Sequence, residues 1–286
     1  MKIIRVFPRR TPLTPVDDMT FIGYRMARRK NKTVWIQNPL PLDKPAADEV
    51  HVSCTFTWDR ERAEKLVAAW SQFYPVRLGG PAIAHEDDSF TPGRYVADGV
   101  TFTSRGCNNG CPWCLVSKTE GTLREISIAP GHIVQDNNIL QCNRQHRAEV
   151  YQMLKTQRRI KFSGGFEVQL FTEWDADNLR SLSIKELYFG ADDKSDIPYL
   201  IKARDLLQRP SRNMLRAYVI LAFDGQTLDQ AKEHLAAVWA AGFMPHAQLF
   251  QPADRLIEYP PEWLALQRRW QRPAIMKTMD GTDTVI

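Results

Sequence analysis

The run Cys107-Asn108-Asn109-Gly110-Cys111-Pro112-Trp113-Cys114 decides how the rest of this chain is read. Its spacing is C-x3-C-x2-C. The alternating stretch Val100-Thr101-Phe102-Thr103-Ser104 leads into it, and Arg105-Gly106 break the chain into a loop. Thiolate sulfur is the soft ligand that cluster iron takes, so three cysteines on one loop can hold three corners of a [4Fe–4S] cluster. The fourth iron then has no protein ligand and is open to a small molecule. Gly106 and Gly110 are expected to let the backbone wrap the cluster, and Pro112 to stiffen the last turn. The rival is a structural zinc site, which wants four ligands and usually two C-x2-C pairs. The nearest spare ligands, His132, Cys142 and His146, have no such pairing.

Downstream of the loop, strands and helices alternate. Ile133–Asn138 reads as a strand ending in polar groups, and Ala148, Tyr151 and Leu154 share a helix face. Ile160–Ser163 reads as a strand running into the turn Gly164-Gly165. A short helix near Asn178–Leu182 precedes the strand of Glu186–Gly190, and a helix near 197–208 precedes Ala217–Phe223. Thr227 and Gln230 have capping-box spacing; Leu228, Ala231, Leu235 and Val238 form the stripe behind them, and Gly242 stops the helix. His246–Phe250 is the last strand. About six strands spaced this way imply a parallel α/β sheet.

Upstream, a short strand is expected over residues 2–7. The run Val50–Phe56 is β-prone, Asp59 is a candidate N-cap, and Ala63, Leu66, Val67, Trp70 and Phe73 fall at helical spacing. With Val76-Arg77-Leu78 and Gly79-Gly80 this makes a βαβ unit. Arg25, Arg28, Arg29, Lys30 and Lys32 form a basic cluster, either a solvated face or a phosphate contact. Pro39, Pro41 and Pro45 mark a loop, and the polar stretch 84–99 reads as a linker.

The chain has 286 residues, 43% hydrophobic and 25% charged, with a net charge of +5, as for a globular protein with a moderately basic surface. No stretch approaches a membrane span of ~20 apolar residues, and no apolar signal region follows Met1. With three of five cysteines in one loop, a reducing cytoplasm is expected rather than a disulfide framework.

The cysteine spacing resembles the signature of the radical S-adenosylmethionine (radical SAM) superfamily. The resemblance implies a [4Fe–4S] cluster on Cys107, Cys111 and Cys114 as both metal ligands and catalytic centre, with SAM on the open iron. It also implies an external one-electron reductant and a 5′-deoxyadenosyl radical that takes hydrogen from substrate. The implied fold is α/β: a partial (β/α)6 barrel over 99–255, after a small Rossmann-like region at 1–98 and before a C-terminal extension at 256–286. Trp113 holds the aromatic position that family members place near adenine. Asp136, Asn137 and Asn138 match the region beside the methionine amine, where a carboxylate can accept from the ammonium. Ser163-Gly164-Gly165-Phe166-Glu167 resembles a displaced Gly-Gly-Glu element, with Glu167 as amine ligand or solvated turn residue. Asp192-Asp193 ends the strand where family members hold ribose, or caps a helix. Phe223–Thr227 corresponds to the turn supporting adenine.

The βαβ region resembles the later half of a cobalamin-binding domain, but the D-x-H-x-x-G motif is absent: Asp48 and His51 have the wrong spacing. Cobalamin is therefore not expected, and His51 and Cys54 read as core groups. Cys142 is either structural or a hydrogen or thiolate donor to substrate. Trp263, Arg268, Arg269, Trp270 and Arg272 can grip nucleic acid or pack a helix on the core.

Val6–Arg10, Thr55–Asp59, Gly79–Ala82 and Thr103–Cys107 resemble segments of a compact group of radical SAM proteins common in tailed-phage genomes. That resemblance implies host cytoplasm, and one branch acts in thymidine hypermodification. It would make the chain an isomerase of DNA-borne Nα-glycinylthymidine to the Cα-linked form, with modified DNA as partner. The alternatives are cobalamin-dependent methylation and a metal-stabilised DNA-binding module without catalysis.

Overall fold

The structure, a computed structural model, describes residues 1–26, 45–83 and 93–278. Arg28, Arg29, Lys30, Lys32, Pro39, Pro41 and most of the expected linker (84–92) lie outside the described residues. Two compact units emerge: Met1–Val100 with Ala253–Leu256, and Thr101–Pro252 with Ile257–Ile286.

The first unit contains β1 (Ile3–Phe7), β2 (Thr20–Ile22), β3 (Arg25–Met26), β4 (Glu49–Ser53), α1 (Arg60–Trp70) and β5 (Val76–Gly79). The sheet order is β3-β2-β1-β4-β5, parallel except for β2 with β3. The β4–α1–β5 crossover is the expected βαβ unit. Ala63, Leu66 and Trp70 of α1 are buried in one cluster with Ile4, Val6, Phe21, Val50 and Val52. Asp59 precedes α1, but its side chain caps nothing. Its two oxygens accept from Arg9 Nε and Nη2 at 2.5 and 2.8 Å, tying the segment after β1 to the entry of α1. His51 meets Glu49 at 2.9 Å and the Tyr95 hydroxyl at 2.6 Å, and the buried Cys54 thiol donates to the Phe56 carbonyl at 3.3 Å. Both are satisfied within the unit.

The second unit is built on β6 (Val100–Thr101), β7 (Ser104–Arg105), α2 (Val116–Thr119), β8 (Arg124–Glu125), β9 (Ile133–Val134), α3 (Arg144–Leu154), β10 (Ile160–Glu167), α4 (Glu173–Arg180), β11 (Ile184–Gly190), α5 (Ile197–Leu206), β12 (Leu215–Leu221), α6 (Leu228–Ala240), β13 (Met244–Leu249), α7 (Pro261–Gln271) and α8 (Pro273–Met276). The main sheet runs β6-β9-β10-β11-β12-β13, in chain order, and is parallel from β9 to β13. β7 and β8 form a separate antiparallel pair.

The α/β class with parallel sheets is as the alternation implies. Alternate residues of β12, namely Leu215, Ala217, Val219 and Leu221, share a core with Leu200, Ala203, Leu235 and Val238 of α5 and α6. Each large apolar side chain buried there contributes about 1.5–3 kcal/mol.

Three local expectations change. β10 continues through Gly164-Gly165 to Glu167 instead of turning, with its register to β11 shifted between Phe162 and Phe166. α4 starts earlier than its apolar residues indicate, because Thr172 and Asp175 form a capping box. In α7, Trp270 is buried and meets Trp239 with centroids 6.0 Å apart, while Arg268 and Arg272 are exposed. The tryptophans of that run belong to packing. Among the described residues no helix is long and apolar enough to cross a membrane.

Candidate functional site

The loop is anchored before it begins. Asp136, 2% exposed, accepts from Thr103 N at 2.6 Å, Thr103 Oγ1 at 2.5 Å and Ser104 Oγ at 3.0 Å. Burial pushes its pKa up, and those hydrogen bonds pull it back. Both oxygens are thus occupied by the segment leading into the cysteines. This corrects the expectation that Asp136 meets a ligand's ammonium: it is a strut of the loop's entry. His146 Nε2 meets the Thr103 carbonyl at 2.9 Å from the same region, so this histidine is satisfied locally.

Gly106 has φ +80°, and a Cβ there would lie 2.1 Å from the Thr122 carbonyl oxygen. Only glycine fits. Gly110 has no neighbour within 4 Å of that position and an ordinary φ, so backbone freedom is not what it supplies. Buried Arg105 pairs with Glu120, which also accepts from Gly106 N at 3.4 Å and Asn137 Nδ2 at 2.9 Å.

On one side of the loop lies an amide–carboxylate network. Gln141 Oε1 accepts from Asn108 N at 2.8 Å, and Gln141 Nε2 donates to Asn109 Oδ1 at 2.9 Å and Glu167 Oε2 at 3.1 Å. Asn138 Nδ2 donates to the same Glu167 oxygen at 2.7 Å, while Asn138 Oδ1 is buried without a partner. β9 stops at Val134, short of the expected Asn138; Asn138, beyond it, and Glu167, the last residue of β10, are thereby joined to the cysteine loop through Gln141. Sequence reasoning passed over Gln141 in favour of its neighbour Cys142. Cys142 is in the core, 3% exposed, and burial lifts its thiol to about 11. That keeps it protonated and structural.

Within the loop, Trp113 stacks edge-on against Phe223 at 5.5 Å, and Phe223 against Phe250 at 4.9 Å. Asp192 accepts from Ile220 N at 2.8 Å. Burial lifts its carboxyl to about 6, opposed by the Ile220 N–H and the facing Trp113 indole. The neighbouring aspartate behaves differently: Asp193 accepts from Ser195 N at 2.7 Å, forms a capping box with Asp196, and is held below the usual range by those bonds. The cap reading therefore applies to Asp193, while Asp192 turns to the Ile220 backbone and the Trp113 indole.

Asp192 carries a pH prediction. Its folded pKa of about 6 exceeds the ordinary 3.8, so the folded chain binds this proton more tightly between those values. Stability therefore falls as pH rises through that window. Asp192→Asn removes the effect while keeping an acceptor for Ile220. Urea titrations should show the variant more stable than the parent by up to about 3 kcal/mol at pH 8, with the difference closing below pH 4. A difference independent of pH would show that Asp192 is not the group responsible.

The three thiols are electrically coupled. Burial first, then the charges of the other two loop cysteines and of Asp192, raise the Cys111 thiol; burial first, then Cys107 and Asp192, raise that of Cys114. A thiol in such surroundings ionises when a cation supplies the missing counter-charge. Cys107 Sγ accepts from Asn109 N and Cys114 Sγ from Val116 N, each at 3.5 Å, donors that also suit a thiolate. Among the described residues no three His, Cys, Asp or Glu side chains are arranged to hold a single ion. A multi-iron cluster takes its thiolates at separate corners and asks for neighbouring sulfurs rather than one point of convergence. The soft donor set and the donors to sulfur fit that group. Comparison with known protein families and with curated proteins finds no match.

Proposed function

We propose that this chain is a radical SAM enzyme in which Cys107, Cys111 and Cys114 hold a [4Fe–4S] cluster. What carries the reading is one gathering: three thiols on a loop whose Trp113 meets Asp192 and whose Asn108 and Asn109 are tied through Gln141 to Glu167, which Asn138 also holds. When bound, such a cluster supplies the electron that splits SAM into methionine and a hydrogen-abstracting 5′-deoxyadenosyl radical. The main sheet, met in chain order from β6 to β13, supports reading this unit as a partial (β/α)6 barrel, whose reactive groups sit at strand C-terminal ends.

The chain's own residues then have distinct tasks. Trp113, with Phe223 and Phe250 behind it, offers a face for adenine. Asp192 offers a carboxyl for ribose hydroxyls. Glu167, held by Asn138 and Gln141, offers a charge for the methionine ammonium, and the unpartnered Asn138 oxygen a further acceptor. Gln141→Leu should raise the KM for SAM about tenfold, the effect of losing one or two hydrogen bonds, while iron content stays unchanged. Loss of iron with unchanged KM would instead place Gln141 in cluster assembly.

The specific reaction we carry forward is isomerisation of Nα-glycinylthymidine in DNA. Hydrogen loss at the glycine Cα leaves a radical stabilised by both amine and carboxylate. DNA deuterated at that carbon should pass deuterium into 5′-deoxyadenosine. SAM cleavage without such transfer would exclude this substrate and leave the enzyme class standing.

A further inference from the structure

The face of the main sheet turned away from the helices is polar. Strand register puts Glu186 beside Lys161, Tyr188 beside Arg216, Arg216 beside Met244, Tyr218 beside His246 and Ile220 beside Gln248. Tyr218, Ile220 and His246 are half-buried and Gln248 is exposed, so this face is accessible. At its floor lies Arg216, 4% exposed.

A buried guanidinium stays charged and is normally matched by a carboxylate. Arg216 has no such match among the described residues. Its Nη1 meets the Met244 thioether at 3.2 Å, its guanidinium carbon lies 5.7 Å from the centre of the Tyr188 ring, and its Nε is buried with no hydrogen-bond partner. The nearby carboxylate, Glu186, feels the Arg216 charge at a distance but forms its ion pair with Lys161, at 2.9 Å. His246 Nδ1 is also buried without a partner. The Tyr188 and Tyr218 rings lie 4.8 Å apart at 30°, the latter fixed by its hydroxyl on the Ser163 carbonyl at 2.7 Å. His246 stands edge-on to both rings, at 5.8 and 5.3 Å.

We propose that Arg216 and His246 form a binding site for the carboxylate of the substrate, whose flat ring lies against Tyr188 and Tyr218. Lys161 and Glu186 cancel, leaving one unmatched positive charge, which suits a monoanionic carboxylate better than a dianionic phosphate. Guanidinium and carboxylate also pair in a planar, two-bond geometry. The inference rests on the reading above in placing substrate on this face, but its test needs no SAM cleavage.

The probe is N-benzylglycine, a ring joined to a glycine carboxylate, compared with its carboxamide, which keeps the amine but lacks the carboxylate, by calorimetric titration of the full-length protein. The acid should bind the parent at least tenfold more tightly than the amide, and Arg216→Met should remove that preference. Methylphosphonate tests the phosphate alternative and should bind more weakly than the acid. Arg216→Met without ligand should melt no lower than the parent, because it removes an unmatched buried charge; a structural arginine would give a lower melting temperature. Equal affinity for acid and amide, no binding of either, tighter binding of methylphosphonate, or a clear fall in melting temperature would each overturn the proposal. If these predictions hold and SAM is not cleaved, the carboxylate site stands and the radical SAM reading fails.

Discussion

Replacing Cys107, Cys111 or Cys114 singly with alanine lowers 5′-deoxyadenosine formation below about one-thousandth of the parent value, and the triple variant is no worse than any single one. Groups that act as a unit lose nearly everything when one member goes. The three thiols share one loop, those of Cys111 and Cys114 are raised first by burial and then by neighbouring cysteine charge, and two of the sulfurs take backbone donors. Cys54→Ala and Cys142→Ala are the controls. Both thiols are buried, and each is pushed up by its surroundings, so their loss should alter stability slightly and SAM cleavage little. Iron content and 5′-deoxyadenosine yield, measured on all five single variants, check the prediction. A single loop variant that kept both would remove its cysteine from the proposed ligand set.

Gly164→Ala destabilises the second unit by more than about 3 kcal/mol, beyond the usual range for overpacking. A Cβ at Gly164 would lie 1.6 Å from the Asp136 carbonyl oxygen and 2.6 Å from its carbon, and neither is the end of a flexible side chain. The displaced residue is the strut that holds Thr103 and Ser104, so the disturbance runs directly to the cysteine loop. Thermal unfolding should show a fall in Tm of about 10 °C. Gly110→Ala, which meets nothing within 4 Å, should stay within about 0.5 kcal/mol of the parent. Equal effects at the two positions would mean that β9 and β10 do not approach as described.

What the sequence disclosed, and what it withheld, follows from the range of the forces involved. The helix from Leu228 was legible because its capping box and apolar stripe are local, and Thr227 and Gln230 do cap it. The β4–α1–β5 crossover was legible for the same reason. Gly164-Gly165 reads as a turn because glycine signals a turn locally; here the cause is distant, the backbone of Asp136 across the sheet. Asp136 misleads for a related reason. A carboxylate at a strand end serves a ligand or a neighbouring segment equally well, and only the fold brings Thr103 and Ser104 to it. Asp192 and Asp193 could not be separated in sequence, since adjacent residues on extended backbone point opposite ways. Gln141 carried no pattern at all: an isolated amide gains meaning only when Asn108, Asn109 and Glu167 converge on it. Arg216 was invisible because the apolar run around it hides a strand with one polar face.

The central claim is that the cysteine loop holds a cluster with one iron free to take SAM. It is tested most directly by reconstituting the protein with iron and sulfide without oxygen, adding SAM and dithionite, and quantifying 5′-deoxyadenosine. The account predicts about four irons per chain and 5′-deoxyadenosine that appears only when both SAM and reductant are present. A chain that takes up zinc in place of iron, or one that carries its cluster and leaves SAM intact, would contradict it.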